Sequence, residues 1–563
     1  MHRPKHWTRH AYPVQTPETK PHNRPPPKTT RTSDPIPKTI RACKDADSYV
    51  HEGRTIVVCL DGTGDRFDND NSNIVHLVSC LKKDHPSQVT YYQSGIGTYG
   101  KNGLSTGFTA AIDMAVGSGL GVHVRDAYRF LMQTYREGDK ICLFGFSRGA
   151  YTARCLAGML HKVGLLPAEN VAQVEFAYAF YKDDTENGWK MSTEFKKTFC
   201  IDVSVYFVGV WDCVASVGFI PRKLPFSSTP TSKTGHFRHA MALDEHRAKF
   251  KISPWVRKDR KPDINSSNAT VIPKPQHLPH LHEALHKLDE TPQHALSNGS
   301  VSKTDKKEEK RRKKNESEFE RQARLEHNGK TVETDVLEVW FTGCHADVGG
   351  GAVANEERHM LSRIPLRWML RQCFECETGI LFESAMLAEK GLDVHTLWPV
   401  YTPLLKPVVG PSPVLLEKYE MGVLHPIESR AMSLDVAKSD ELSEKSCTGG
   451  FQTYEAKKLA DEAAEYIWTP EQTEDYFDSI APINDQLVLA KGWWILEFWP
   501  IKVRVQKRDS DDWEKKRSIN LGRHRAVQDL EPKMHWTVHQ RMHTKNYVIR
   551  TRVDRNAEWR IVV

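Results

Sequence analysis

The stretch KICLFGFSRGAYTAR, residues 140–154, constrains the chain more than any other. An apolar run, Lys140–Phe144, enters Gly145-Phe146-Ser147-Arg148-Gly149, and a small-residue segment starting at Ala150 leaves it with helical character. Glycines on both sides of Ser147 imply a turn too tight for side chains there. Buried strand, sharp turn and helix in immediate succession fit a parallel sheet covered on both faces. Three other runs have the same apolar look and end at polar turns: Thr55–Leu60, Val203–Val210 and Asp335–Phe341, with Val89–Gln93 as a shorter one. Between them, Ala127, Phe130, Leu131 and Thr134 recur at helical spacing before a stop at Gly138-Asp139. The expected fold class is therefore α/β: a mostly parallel sheet with helices on both faces.

The chain has 563 residues, enough for one large domain with insertions or two to four ordinary ones. Its net charge is +7, and residues 1–50 hold ten basic and four acidic side chains, so the body is close to neutral. A nearly neutral body lacks the basic stripe of a nucleic-acid-binding domain, so no nucleic acid partner is expected. Residues 1–50 read as a disordered, basic, Pro-rich tail. Residues 51–480 read as the catalytic domain, with a mobile insertion at about 256–330 whose second half is a solvated charged helix. Lys306–Lys314 reads as solvated charge in preference to a nuclear localisation signal. Residues 481–563 read as a segment packed on that domain, with Trp493, Trp494 and Trp499 against the main sheet; a substrate rim or membrane contact is the alternative. A further helix is expected from Ala456. Eleven scattered cysteines, Cys59, Cys142, Cys213 and Cys344 among them, fit buried thiols of an intracellular protein. Cys373 and Cys376 read as two helix positions, since zinc requires four ligands. No stretch has signal-peptide or transmembrane character, so a cytoplasmic location is expected, with a nuclear one as the alternative.

Where the strands end, chemistry begins. In an α/β-hydrolase the nucleophile elbow is a strand–G-x-S-x-G–helix unit, and the triad follows in the order Ser, Asp or Glu, His. Ser147 sits in such a unit. The next long apolar run ends at Asp212, and the one after it at His345. A serine needs a base, and the base needs an orienting acid; these three strand ends deliver all three. TIVVCLDGTGDRF, residues 55–67, allows two readings. A phosphatase of the D-x-D-G-T type would use a nucleophilic Asp where Cys59 stands. The alternative is an oxyanion loop, in which the Thr63 and Arg148 backbone N–H groups face the reacting carbonyl, Gly62 and Gly64 allow close approach, and Asp61 holds the turn. Gly145 and Gly149 shape the elbow, and Asp347 shapes the turn presenting His345. Arg238–Glu245 reads as a helix cap and packing segment, or else as lining of the site.

Seven segments together resemble a known family: LDGTGDRFDNDNSNI, YYQSGIGT, FGFSRGAYTAR, GVWDCVASV, HFRHAMALDEHRAKF, GCHADVGGG and LSRIPLRWML. They span about residues 53 to 370. The family is the uncharacterised α/β-hydrolase group that includes the catalytic domain of bacterial type VI secretion phospholipase effectors and many fungal proteins. The resemblance implies a Ser-Asp-His esterase or phospholipase with those roles on Ser147, Asp212 and His345. It implies an ester or lipid substrate and neither metal nor organic cofactor; peripheral membrane contact stays the alternative for the C-terminal tryptophans. The rivals are an inactive interaction protein on the same fold and an Asp61-dependent phosphatase.

Overall fold

The computed structural model describes residues 35–51, 53–95, 119–214, 224–227, 231–255, 270–271, 303–326, 333–407, 410–424, 434, 469–507 and 512–563. Within Ile36–Val563 the main sheet comprises β1 (Thr55–Leu60), β2 (Gln88–Gln93), β3 (Lys140–Phe146), β4 (Val205–Trp211), β5 (Thr234–Ala242), β6 (Thr270–Val271), β7 (Asp335–Phe341), β8 (Lys533–His535) and β9 (Arg560–Val562). Their order across the sheet is β2-β1-β3-β4-β5-β7-β8-β9-β6. Every pairing is parallel except β9 with β6. The helices used below are α1 (Asn73–Cys80), α2 (Leu120–Thr134), α3 (Ser147–Val163), α4 (Lys303–Glu326), α5 (His345–Gly349) and α6 (Arg363–Glu375).

The two-faced burial of the strands explains their continuous apolar runs. Along β1, Ile56, Val58 and Leu60 enter a layer with α2 and α3. Val57 and Cys59 enter the opposite layer with α1 and α6. The register then sets the site. Leu60 pairs with Gly145, Phe146 with Trp211, Trp211 with Ala240, and Ala242 with Phe341. The chain therefore leaves β1, β3, β4, β5 and β7 along one edge, the carboxyl end, where open α/β sheets carry their sites.

Several expectations differ from the structure. Residues 36–50 are part of the fold. Thr39–Arg41 pairs antiparallel with Leu381–Glu383, and Ile36, Ile40 and Ala42 are buried. Arg238–Glu245 is no helix cap, because Arg238–Ala242 completes β5. Its polar side chains are satisfied sideways: Arg238 donates to Gln372 Oε1 at 2.6 Å and Asp335 Oδ2 at 2.5 Å, and His239 Nδ1 lies 2.9 Å from Glu338 Oε1. The charged helix α4 is exposed over much of Lys307–Lys314, as its composition requires. Its second half is held to the body. Phe319 packs against Phe226, Trp189 and His161, and Glu316 accepts from the Phe226 N–H at 3.0 Å. The remaining insertion residues, the helix expected from Ala456 and the tail before residue 35 lie outside the described residues. Residues 481–563 do more than pack on the sheet, since β8 and β9 extend it beyond β7. Trp494 and Trp499 are exposed rather than packed against the sheet. Cys373 lies in α6 and Cys376 just past its end, both buried. Among the described residues, no helix is long and apolar enough to cross a membrane.

Candidate active site

Ser147 adopts φ 57°, in the left-handed region that a serine enters only when its surroundings force it. The force is steric. At Gly149 a Cβ would lie 2.2 Å from the Leu60 carbonyl oxygen, and at Gly145 one would lie 2.6 Å from the Ala150 backbone. Strand, elbow and helix can thus be stacked this closely only with glycine on both sides of the serine. Asp212, directly after β4, has φ 38°. His345 opens the short helix α5 after β7, where Asp347 Oδ2 accepts from the Cys344 N–H at 2.8 Å. Asp347 also accepts from the Asn484 side chain at 2.7 Å, and burial pushes its carboxyl up to about 6.

These three strand ends bring their side chains together. His345 Nε2 lies 2.8 Å from Ser147 Oγ, and His345 Nδ1 lies 2.5 Å from Asp212 Oδ2. A carboxylate only accepts, so Nδ1 carries the proton and Nε2 is free to accept from the serine hydroxyl. All three residues are buried. Phe146 and Phe250 flank the imidazole, each with its ring centroid 4.8 Å away. Burial pulls the His345 pKa below its ordinary 6.5, and the Asp212 carboxylate opposes that pull. The imidazole is therefore neutral near pH 7, as a base must be.

Asp212 is held by a residue that the sequence gives no sign of. Arg525 donates from Nη1 to Oδ1 at 2.6 Å and from Nη2 to Oδ2 at 2.7 Å. The Ala242 N–H adds a third bond to Oδ1 at 2.9 Å. Burial alone would raise the Asp212 pKa; the Arg525 guanidinium outweighs it and holds the carboxyl far below the usual carboxylate range. Arg525 also donates to the Ala242 and Phe250 carbonyls. It thus braces the segment carrying the Phe250 ring. Glu245, within the quoted HFRHAMALDEHRAKF segment, accepts from the His345 N–H at 3.2 Å and pairs with Arg247 at 2.9 Å.

The loop after β1 faces this group. Asp61 is buried, and its carboxylate accepts from the Gly62 N–H at 2.8 Å, Ser72 Oγ at 2.7 Å and Tyr92 OH at 2.9 Å. All three bonds tie the loop to itself, to the start of α1 and to β2. Gly64 has φ 81°, and the Asp65 N–H closes the turn onto the Gly62 carbonyl at 3.1 Å. Thr63 lies in that turn. Arg148 lies in the first turn of α3, where backbone N–H groups have no intrahelical acceptor.

The pattern of residues 54–372 matches the family model described as T6SS, phospholipase effector Tle1-like, catalytic domain. The chain belongs to this family. It is 26% identical over 571 aligned positions to the uncharacterized protein YEL023C of Saccharomyces cerevisiae, covering 88% of this chain and 80% of that one. Two solved structures also align. One is an uncharacterized protein from Pseudomonas aeruginosa, 14% identical, with a TM-score of 0.29 over 59% of this chain and 47% of its own. The other is the Tle1 effector bound to the VgrG spike of the Type 6 secretion system, 19% identical, with a TM-score of 0.20 over 36% of this chain and 48% of its own. The alignments thus span about half of each solved chain. Membership of the Tle1-like family supports hydrolase activity of the lipase or esterase kind.

Proposed function

We propose that this chain is a serine hydrolase that removes acyl chains from phospholipids through Ser147, His345 and Asp212. The observation that carries the reading is the unbroken hydrogen-bonded line from Ser147 Oγ through the His345 ring to Asp212. His345 Nε2 takes the serine proton as Oγ attacks the ester carbonyl carbon. The Thr63 and Arg148 N–H groups receive the oxyanion of the tetrahedral intermediate. Its collapse breaks the bond to the lipid alkoxide, which leaves with the proton from His345. Water then attacks the acyl-serine with His345 as base again, releasing a fatty acid and restoring Ser147. Asp212 keeps the imidazole oriented and stabilises its charged form.

The lipid substrate is reached at a surface. Val488, Leu489, Ile495, Phe498 and Trp499 are exposed on one short stretch, with Lys491 and Lys502 exposed beside them. Trp493 in the same stretch packs edge-on to Phe250, whose ring meets His345. An apolar ridge with basic neighbours suits the boundary of an anionic bilayer. The test is labelling with a fluorophosphonate, followed by assays on phospholipid and short-chain esters. The native protein should label at Ser147 and turn over both. Ser147→Ala and His345→Ala should each lose nearly all turnover while staying folded. Substantial activity in either variant would remove that residue from the mechanism.

A further inference from the structure

Arg148 follows the nucleophile directly, yet nothing so far uses its side chain. The residue is 6% exposed. Its Nη1 is fully buried and has no hydrogen-bond partner among the described residues. The other buried arginines each hold at least one carboxylate or carbonyl, although Arg154 Nε and Arg541 Nε also lack a partner among the described residues. Arg367 meets Asp475 and Asp478, Arg371 meets Glu471, Arg247 meets Glu245, and Arg525 meets Asp212. Arg154, which has no carboxylate, donates to the Ser253 and Pro254 carbonyls.

A buried guanidinium without a counter-charge is costly, and proteins keep one only where something repays it. Burial pulls the Arg148 pKa down to about 10, and the charge that opposes this is Asp65. Asp65 places its carboxylate beside Gly62, within the turn that carries Thr63. It forms no ion pair with Arg148 within 4.0 Å among the described residues, and burial drives its own carboxyl well above the usual range. Thr63 Oγ1 is another buried polar atom with no hydrogen-bond partner among the described residues. Arg148 and Thr63 are also the two residues whose backbone N–H groups the proposed mechanism assigns to the oxyanion. Arg148 also stands in the first turn of a 17-residue helix, whose amino end favours negative charge.

We infer that Arg148, with Thr63, forms a phosphate subsite that grips the phosphodiester of the lipid beside the scissile acyl ester. This rests on the reading of Ser147 as nucleophile and adds to it the feature that selects the substrate. An uncharged ester offers the guanidinium nothing. A glycerophospholipid carries its phosphate a few bonds from the ester carbonyl, within reach of a group one residue from the nucleophile. A guanidinium binds phosphate oxygens in a two-pronged way that a lysine does not reproduce.

The test needs no turnover. The whole chain is titrated with a short-chain dialkyl-ether phosphatidylcholine, with the matching uncharged dialkylglycerol, and with inorganic phosphate. The native protein should bind the ether phospholipid at least about tenfold more tightly than the dialkylglycerol, the scale of a hydrogen bond to a charged group. Arg148→Gln should abolish that preference, and Arg148→Lys should restore only part of it. Because the native guanidinium is unmatched, Arg148→Met should unfold at a higher temperature than the native chain. Equal affinity for the two ethers, a preference that survives in Arg148→Gln, or a clear fall in the Arg148→Met unfolding temperature would each overturn the subsite. Inorganic phosphate binding as tightly as the ether phospholipid would assign the site to free phosphate and overturn the lipid assignment. Fluorophosphonate labelling of the same samples keeps the two readings apart. Lost labelling with the lipid preference intact refutes the nucleophile alone, and intact labelling without the preference refutes the subsite alone.

Discussion

Replacing Arg525 by methionine tests whether the acid of the site is built by a residue far away in the chain. The substitution removes both charge-assisted bonds to Asp212, at 2.6 and 2.7 Å, and the donors to the Ala242 and Phe250 carbonyls. Asp212 is fully buried, so water cannot take their place. Breaking one side of a buried pair of this kind costs about 3–5 kcal/mol of stability. The chemical effect follows from the same charge. With Arg525 present, much of the Asp212 negative charge is neutralised and the His345 proton is held loosely. Without it, an uncompensated carboxylate faces the imidazole and the ring binds its proton more tightly. The acid limb of kcat/KM against pH should move up by about one unit. At neutral pH kcat/KM should fall roughly a hundredfold, as orientation of the base degrades. Arg525→Lys keeps the charge and one donor direction, and should recover part of both effects. Stopped assays on a soluble ester from pH 5 to 9, with urea unfolding in parallel, give all three quantities. A folded Arg525→Met protein with an unmoved acid limb would refute the argument, because a residue that only supports packing has no reason to shift a proton equilibrium.

Asp61→Asn retains size and one acceptor oxygen. It should lower ester hydrolysis partially, at most about a hundredfold, while Ser147 still labels; a phosphorylated Asp61 trapped with an aryl phosphate would instead make it a nucleophile. Ile495→Asp combined with Phe498→Asp removes two exposed apolar anchors, each contributing about 1.5–3 kcal/mol if it enters lipid. Sedimentation with anionic vesicles and turnover on them should fall at least about tenfold, with soluble ester turnover little changed. His535 is buried, and burial lowers its pKa from 6.5 to about 3. The unfolded chain therefore takes up a proton below pH 6.5 that the folded one refuses until about pH 3. Stability from this group is lost as pH falls through that window, by up to about 1.4 kcal/mol per unit. Urea unfolding of His535→Asn between pH 6 and 4 should show a flatter slope.

What could be read from the sequence was whatever a single strand and its next turn decide. The positions of Ser147, Asp212 and His345 are set by where three apolar runs stop, and parallel pairing in register does the rest. Arg525 could not be found this way. Nothing in its neighbourhood marks it, and its partner is 313 positions earlier. Arg238–Glu245 misled because its polar residues suggest a helix cap, whereas Arg238–Ala242 is strand and neighbouring strands and α6 satisfy its charges within the sheet. Helix α4 misled for a related reason: its anchors, Phe319, Glu316 and Glu320 with Arg311 and Asn315 on Asp184, are scattered and do not register against so many lysines and arginines. The tryptophans near residue 494 show the reverse error. Apolarity says that a side chain gains by leaving water, but not whether the protein itself provides the place.

The Asp212–Arg525 bond also sets an order of events during synthesis. Asp212 is made 313 positions before the guanidinium that neutralises it. At about 5–20 residues per second the ribosome takes roughly 15–60 s to cover that distance. For part of that interval the nascent chain has its serine, histidine and aspartate but no Arg525, and the edge of β7 that later receives β8 has no strand beside it. A carboxylate without its counter-ion resists burial, and an open strand edge invites pairing with other chains. The site is therefore complete only once Arg525 and Lys533–His535 have been made, and conditions that slow translation between residues 345 and 533 lengthen the period in which this chain is both unfinished and open to misassembly.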